Sequence, residues 1–155
     1  MHTPMNLTIR LAAATALALT LTACGGATAT ATATATSDDA TAPMVAGYKN
    51  FSPAQVQAKL TEPGFHVYDV NSPERYAKGH VPGAKNASYK TLSADQLPTD
   101  KNATLVFYCG STKCKACHKA ADVAKELGYT NASIMAAGIK GWEDAGLATE
   151  GGAGS

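Results

Sequence analysis

Reactive side chains gather in one short stretch, Cys109-Gly110-Ser111-Thr112-Lys113-Cys114-Lys115-Ala116-Cys117-His118. Before it runs Thr104-Leu105-Val106-Phe107-Tyr108, a continuous apolar segment of the kind that forms a strand buried on both faces. After it, Ala120, Ala121, Val123, Ala124 and Leu127 recur at helical spacing from Cys117 onward, and Gly128 stands where a helix ends. The stretch is therefore a loop from the C-terminal end of a strand to the start of a helix, where open α/β sheets bind ligands. Unpaired N–H groups at a helix start point at whatever anion sits there, and Lys113 and Lys115 add positive potential. Such a field favours thiolate over thiol and predicts a Cys109 pKa below the free value of about 8.5. A thiolate held by the loop amides of Gly110 to Ala116 is suited to attack an electrophilic sulfur and carry it as a persulfide.

Three thiols within the loop leave the pairing open. Cys114 and Cys117 could close a local disulfide and leave Cys109 as the reactive group. Alternatively Cys109 pairs with Cys114 or Cys117, either of which then serves as a resolving thiol. Cys114-Lys115-Ala116-Cys117-His118 also matches the Cys-x-x-Cys-His pattern of c-type haem attachment. Haem would occupy the loop and the first turn of a helix whose apolar face is already built, and only Met135 offers a second axial ligand. A zinc site of Cys109, Cys114, Cys117 and His118 is crowded for tetrahedral geometry. No cofactor and no metal is expected.

Further elements must position this loop. Ser52-Pro53 reads as an N-cap with proline at the first helical position, and Val56 and Leu60 continue that helix to about Leu60. Glu62-Pro63-Gly64 is a turn, Phe65 to Val70 a strand, and Glu74 to Lys78 a helical turn. Ser93 to Leu97 predicts a short helix, Ala132 to Met135 a strand, and Lys140 to Ala145 a helix around Trp142. Strands alternating with helices predict an α/β fold with a mainly parallel central sheet flanked by helices in three layers. Asp69, at a strand end near the loop, is a supporting residue that could orient loop amides or cap a turn. His80 reads as a hydrogen-bonded structural histidine and Trp142 as core.

The chain of 155 residues carries 16% charged residues and a net charge of +1, which argues against a nucleic-acid partner. Arg10, an apolar run from Leu11 to Ala23, and then Cys24-Gly25 stand in the order of a bacterial lipoprotein signal. The expectation is a signal peptide over residues 1–23 and a lipid-modified Cys24 as membrane anchor. Gly25 after the cysteine points to the periplasmic face of the outer membrane, within the cell envelope. Loss of residues 1–23 would leave 12 basic against 12 acidic side chains. Ala-Thr alternation over 27–36 offers too little side-chain volume to offset its ordering entropy, so residues 24–44 are expected to be a disordered tether. The folded domain is expected over 45–148 and a flexible tail over 149–155.

Within that domain, Tyr68-Asp69-Val70 followed by Glu74-Arg75-Tyr76-Ala77-Lys78-Gly79-His80-Val81-Pro82-Gly83-Ala84 closely resembles the rhodanese pattern. Leu105 to Cys109, Ala120-Ala121, Ala137-Gly138-Ile139-Lys140-Gly141-Trp142 and Ala145-Gly146 are similar to the same family's later motifs. The resemblance implies a single rhodanese-like domain acting on a small sulfur-containing substrate, and a monomer is expected. It implies sulfur transfer from a sulfane donor (thiosulfate, persulfide or polysulfide) to a thiol or cyanide through a Cys109 persulfide. A non-catalytic binding or sulfide-sensing module is the alternative. The family's helix alanine pair begins nine residues after the catalytic cysteine; Ala120 lies eleven after Cys109, six after Cys114 and three after Cys117. Cys109, which keeps the strand-end position, is the expected nucleophile. The family's arginine after Asp-Val is Asn71 here, and its loop arginine and serine are Ala116 and Cys117. No arginine is then expected to grip a sulfonate through a bidentate pair, leaving Lys113 or Lys115 as point charges.

Overall fold

The structure, a computed structural model, describes residues 43–151. The signal-peptide, Cys24 and tether assignments up to residue 42, and residues 152–155 of the tail, lie outside the described residues. The chain first forms a hairpin of β1 (Met44–Val45) and β2 (Tyr48–Lys49), closed by Ala46 and Gly47 at φ 51° and 81°. Two successive positive φ angles give the turn the twist that antiparallel neighbours need. Alanine rarely occupies such a position, which is why the hairpin does not announce itself in the sequence. It begins at Met44, one residue inside the segment expected to be tether.

Ser52 caps α1 (Pro53–Lys59) with a reciprocal pair of bonds. Its backbone N–H donates to Gln55 Oε1 at 2.8 Å, and its hydroxyl accepts from the Gln55 N–H at 3.2 Å. Then come β3 (Phe65–Asp69), α2 (Pro73–Lys78), the short β4 (Lys85–Asn86) and a single 3₁₀ turn at Ala94–Gln96. β5 (Thr104–Tyr108), α3 (Ala116–Glu126), β6 (Asn131–Met135) and α4 (Gly138–Asp144) complete the domain. The sheet has the order β4-β3-β5-β6, parallel throughout, with Asp69 beside Tyr108 and Tyr108 beside Met135. β4, of two residues, is too short to show alternation and carries no sequence signal.

Alternation along the strands sorts the core into two halves. Leu105, Phe107 and Ile134 face α3, where Ala120, Ala121 and Ala124 let the helix approach closely. Val67, Val106, Tyr108 and Met135 face Phe51, Val56 of α1, and Ile139 and Trp142 of α4. The domain thus has the three α/β layers that the sequence predicts. Trp142 is fully buried, with its indole N–H donating to the Ala148 carbonyl at 2.8 Å. His80 behaves as the structural histidine expected: its Nδ1 lies 2.9 Å from the Tyr76 carbonyl and its ring stacks on Tyr76.

The expected tail boundary at 149 requires correction. Glu150 exchanges backbone hydrogen bonds with His80 in both directions, at 2.8 and 2.9 Å, and its carboxylate accepts the Gly83 N–H. Backbone pairing of this kind leaves no side-chain pattern in a glycine-rich segment.

Truncating Trp142 to alanine is expected to cost about 3–5 kcal/mol, from lost burial and an orphaned Ala148 carbonyl. Chemical denaturation of Trp142→Ala should therefore show a much lower midpoint.

Candidate functional site

The parallel register brings the C-terminal ends of β3, β5 and β6 to one edge of the sheet. Cys109 follows the last residue of β5 and continues the side of that strand which faces α3. The loop then turns at Ser111, whose carbonyl accepts the Cys114 N–H at 2.9 Å, and α3 begins at Ala116. From the other side, the start of α4 clamps the loop. Ile139 N–H donates to the Cys109 carbonyl at 2.9 Å and Lys140 N–H to the Gly110 carbonyl at 3.1 Å. Gly138 makes this approach possible. It has φ +67°, and a Cβ there would lie 2.5 Å from the Cys109 carbonyl oxygen and 2.7 Å from the Ser111 nitrogen.

The three thiols converge. Cys109 Sγ lies 3.5 Å from Cys117 Sγ, and both residues are 1% exposed. Cys114, half-buried, also shares a hydrogen bond with Cys109. All three cysteines are free. The Cys117 N–H points at Cys109 Sγ, whereas the N–H groups of Gly110 and Ala116 point at Cys114 Sγ. His118 Nδ1 lies 3.6 Å from Cys117 Sγ. Its Nε2 is buried without a hydrogen-bond partner among the described residues. The ring meets Tyr48 edge-on, and the Tyr48 hydroxyl donates to Asp122 of α3. The β-hairpin therefore packs on the same helix that carries Cys117.

Electrostatics correct one expectation. The Cys109 thiol donates to Cys117 and is buried, and both effects push its pKa up rather than down. Cys117 receives that bond, which outweighs its own burial and lowers its pKa. Cys114 is raised, chiefly by burial. The helix-start amides do reach the sulfurs, but contact between two buried thiols decides which one ionises.

Asp69 takes the second of its two expected roles, the cap. It lies on the side of β3 shared with Val67, opposite to Cys109, and its Oδ1 accepts the Asn71 N–H and Nδ2–H, both at 2.7 Å. It caps the turn into α2 and does not orient the loop after Cys109. Burial raises its pKa, against the hydrogen bonds from Asn71 and Tyr108. Lys113 and Lys115 are exposed on the loop. Cys117 faces inward on Cys109, while covalent haem attachment requires both Cys114 and Cys117 to present sulfur to one external group.

The family model for the rhodanese-like domain matches residues 52–145. The chain belongs to that family. A human thiosulfate:glutathione sulfurtransferase is 28% identical over 112 residues, covering 63% of this chain and 96% of that protein. A thiosulfate sulfurtransferase from Azotobacter vinelandii is 38% identical over 61 residues, and this chain spans only 21% of its length. Among solved structures, the BH2092 protein from Bacillus halodurans superposes with a TM-score of 0.60 at 24% identity, covering 66% of this chain and 76% of that one. A 3-mercaptopyruvate sulfotransferase from Escherichia coli has the same fold, with a TM-score of 0.55 at 19% identity over 68% of this chain and 51% of the other.

This rhodanese-like domain does have an arginine at its loop, contrary to expectation. Arg75, from α2, lays its guanidinium on Gly110, so that a Cβ on Gly110 would lie 3.2 Å from Nη1. The same side chain lines a cleft of about 180 Å³ with Lys78, Gly79, Ile139 and Glu143. The sequence signal was available. β3 and β5 are adjacent and parallel, so the segment after Asp69 must neighbour the segment after Tyr108.

Followed by ultraviolet thiolate absorbance, the first ionisation of the reduced protein is expected below the ordinary thiol value of about 8.5. Cys117→Ser should remove this early ionisation and Cys114→Ser should leave it. The reverse pattern would assign the thiolate to Cys114.

Proposed function

We propose that this protein is a sulfurtransferase that takes sulfane sulfur onto Cys109 and passes it to a thiol or cyanide acceptor. The carrying observation is the position of Cys109, at the end of β5 with the Cys117 N–H aimed at its sulfur and a guanidinium on the next residue. The two touching thiols share their protons, and the ionisation belongs to the pair. Moving the Cys109 proton across 3.5 Å to Cys117 makes Cys109 the nucleophile. With thiosulfate, the Cys109 thiolate attacks the outer sulfur, and the sulfur–sulfur bond breaks. Sulfite leaves with the bonding pair, and Cys109 keeps the transferred sulfur. Arg75 supplies a fork of donors that matches a sulfonate, a role the exposed Lys113 and Lys115 fill only as point charges. The names of the human and Azotobacter relatives, both of which include thiosulfate, support this choice of donor.

The near-complete burial of Cys109 favours a second reading, in which the domain binds or senses sulfur species without turnover. Transfer assays separate the two. The parent should form sulfite and an acceptor persulfide or thiocyanate, and Cys109→Ser should form neither. Inactivity of the parent with thiosulfate, polysulfide and glutathione persulfide alike would leave the second reading. Arg75→Ala should raise KM for thiosulfate about tenfold to a hundredfold with little change in kcat, as loss of a charge-assisted contact does.

The proposal includes an envelope location, through acylation of Cys24. It is supported by Arg10, the apolar run to Ala23, and the cysteine that follows it. Incorporation of a labelled fatty acid should be lost in Cys24→Ser.

A further inference from the structure

A transferred sulfur on Cys109 would have a second buried thiol as its immediate neighbour. Cys117 Sγ lies 3.5 Å from Cys109 Sγ, close to van der Waals contact, and Cys117 stands eight positions after Cys109 in the chain. A disulfide needs about 2.05 Å between the sulfurs, a closure of roughly 1.5 Å. Cys114 differs from Cys117 in its surroundings. It also neighbours Cys109 but is half-buried, and of the two contacts it is the Cys109–Cys117 one that joins two fully buried sulfurs at 3.5 Å. The sequence leaves the resolving thiol open between the two, and the geometry chooses.

We infer that Cys117 resolves the Cys109 persulfide, so that the protein releases sulfide from sulfane sulfur and closes a Cys109–Cys117 disulfide. The inference rests on the Cys109 persulfide proposed above. The Cys117 thiolate attacks Cys109 Sγ, the inner sulfur of Cys109–S–SH. The Cys109–Cys117 bond forms, the bond to the outer sulfur breaks, and HS⁻ departs with its proton and the bonding pair. The outer sulfur is reduced to sulfide while the two cysteines are oxidised to the disulfide. An external dithiol returns two electrons and two protons to reopen the pair.

Attack must come from the side opposite the breaking bond, so the outer sulfur points away from Cys117. Attack on the outer sulfur would instead move it to Cys117 and expel the Cys109 thiolate. Thiol exchange favours the leaving group of lower pKa. Burial of Cys109 disfavours its thiolate, so hydrosulfide is the better leaving group. His118 serves the attacking side. Burial and Lys115 keep its imidazole neutral, and its Nδ1 stands 3.6 Å from Cys117 Sγ, ready to take that proton.

The test uses the reduced full chain under anaerobic conditions, without added thiol. It is treated with thiosulfate and, in a parallel arm, with inorganic polysulfide. Trypsin separates the two cysteines, since Lys113 and Lys115 place Cys109 in peptide 102–113 and Cys117 in peptide 116–119. The parent should yield these two peptides joined by a disulfide, and the thiosulfate arm should release an equivalent of sulfide. Cys117→Ser, with Cys117→Ala as the apolar alternative for a buried site, should keep the extra sulfur on peptide 102–113 and release sulfide only after a dithiol is added. A parent that keeps the persulfide on Cys109 without releasing sulfide, or that links Cys109 to Cys114, overturns the inference and spares the Cys109 proposal. A parent that forms neither added sulfur on Cys109, nor a disulfide, nor sulfide in either arm overturns both.

Discussion

The arrangement depends on a single close approach of two backbones. At Gly138 there is no room for even a methyl group, because the Cys109 carbonyl and the Ser111 nitrogen occupy the space. This proximity lets two amides at the start of α4 hold the carbonyls of Cys109 and Gly110. The loop is thereby fixed from below through its carbonyls, which leaves the Gly110, Ala116 and Cys117 N–H groups to face the sulfurs. The start of α4 is used here to bind backbone, while the start of α3 serves the thiols. A loop tied in this way holds three cysteines in one cluster without any bond between them.

That cluster concentrates an electrostatic conflict. Burial opposes charge on every sulfur, and two adjacent thiolates would repel each other strongly at low local dielectric. One negative charge shared across the Cys109–Cys117 contact is the arrangement the surroundings tolerate. The sharing separates two tasks that one thiol would otherwise combine. The sulfur at the strand end has the position, and its neighbour has the ionisation. Each can become the other through a proton shift of short range.

Much of the fold was legible because the decisive residues are apolar and periodic. Thr104–Tyr108 and the alanines of α3 could form only a buried strand and a close-packed helix, and these two elements locate Cys109. The β1–β2 hairpin and β4 were not legible, since strands of two residues show no alternation. Asp69 was readable in principle: strand alternation puts it with Val67 and Tyr108, on the face away from Cys109. Arg75 is not visible along the chain, because it reaches the loop from the segment that follows the neighbouring strand. The identity of the low-pKa thiol was beyond the sequence, as it turns on which of two touching sulfurs donates the hydrogen.

The seclusion of Cys109 and Cys117 also bears on chemical durability. Oxidation of a cysteine to sulfinic and sulfonic acids needs both thiolate character and access for the oxidant. Here Cys117 has the first without the second, and Cys109 has neither in its resting protonation state. A peroxide must therefore reach the pair by the path a sulfur donor takes, and Cys114, less buried, meets it first.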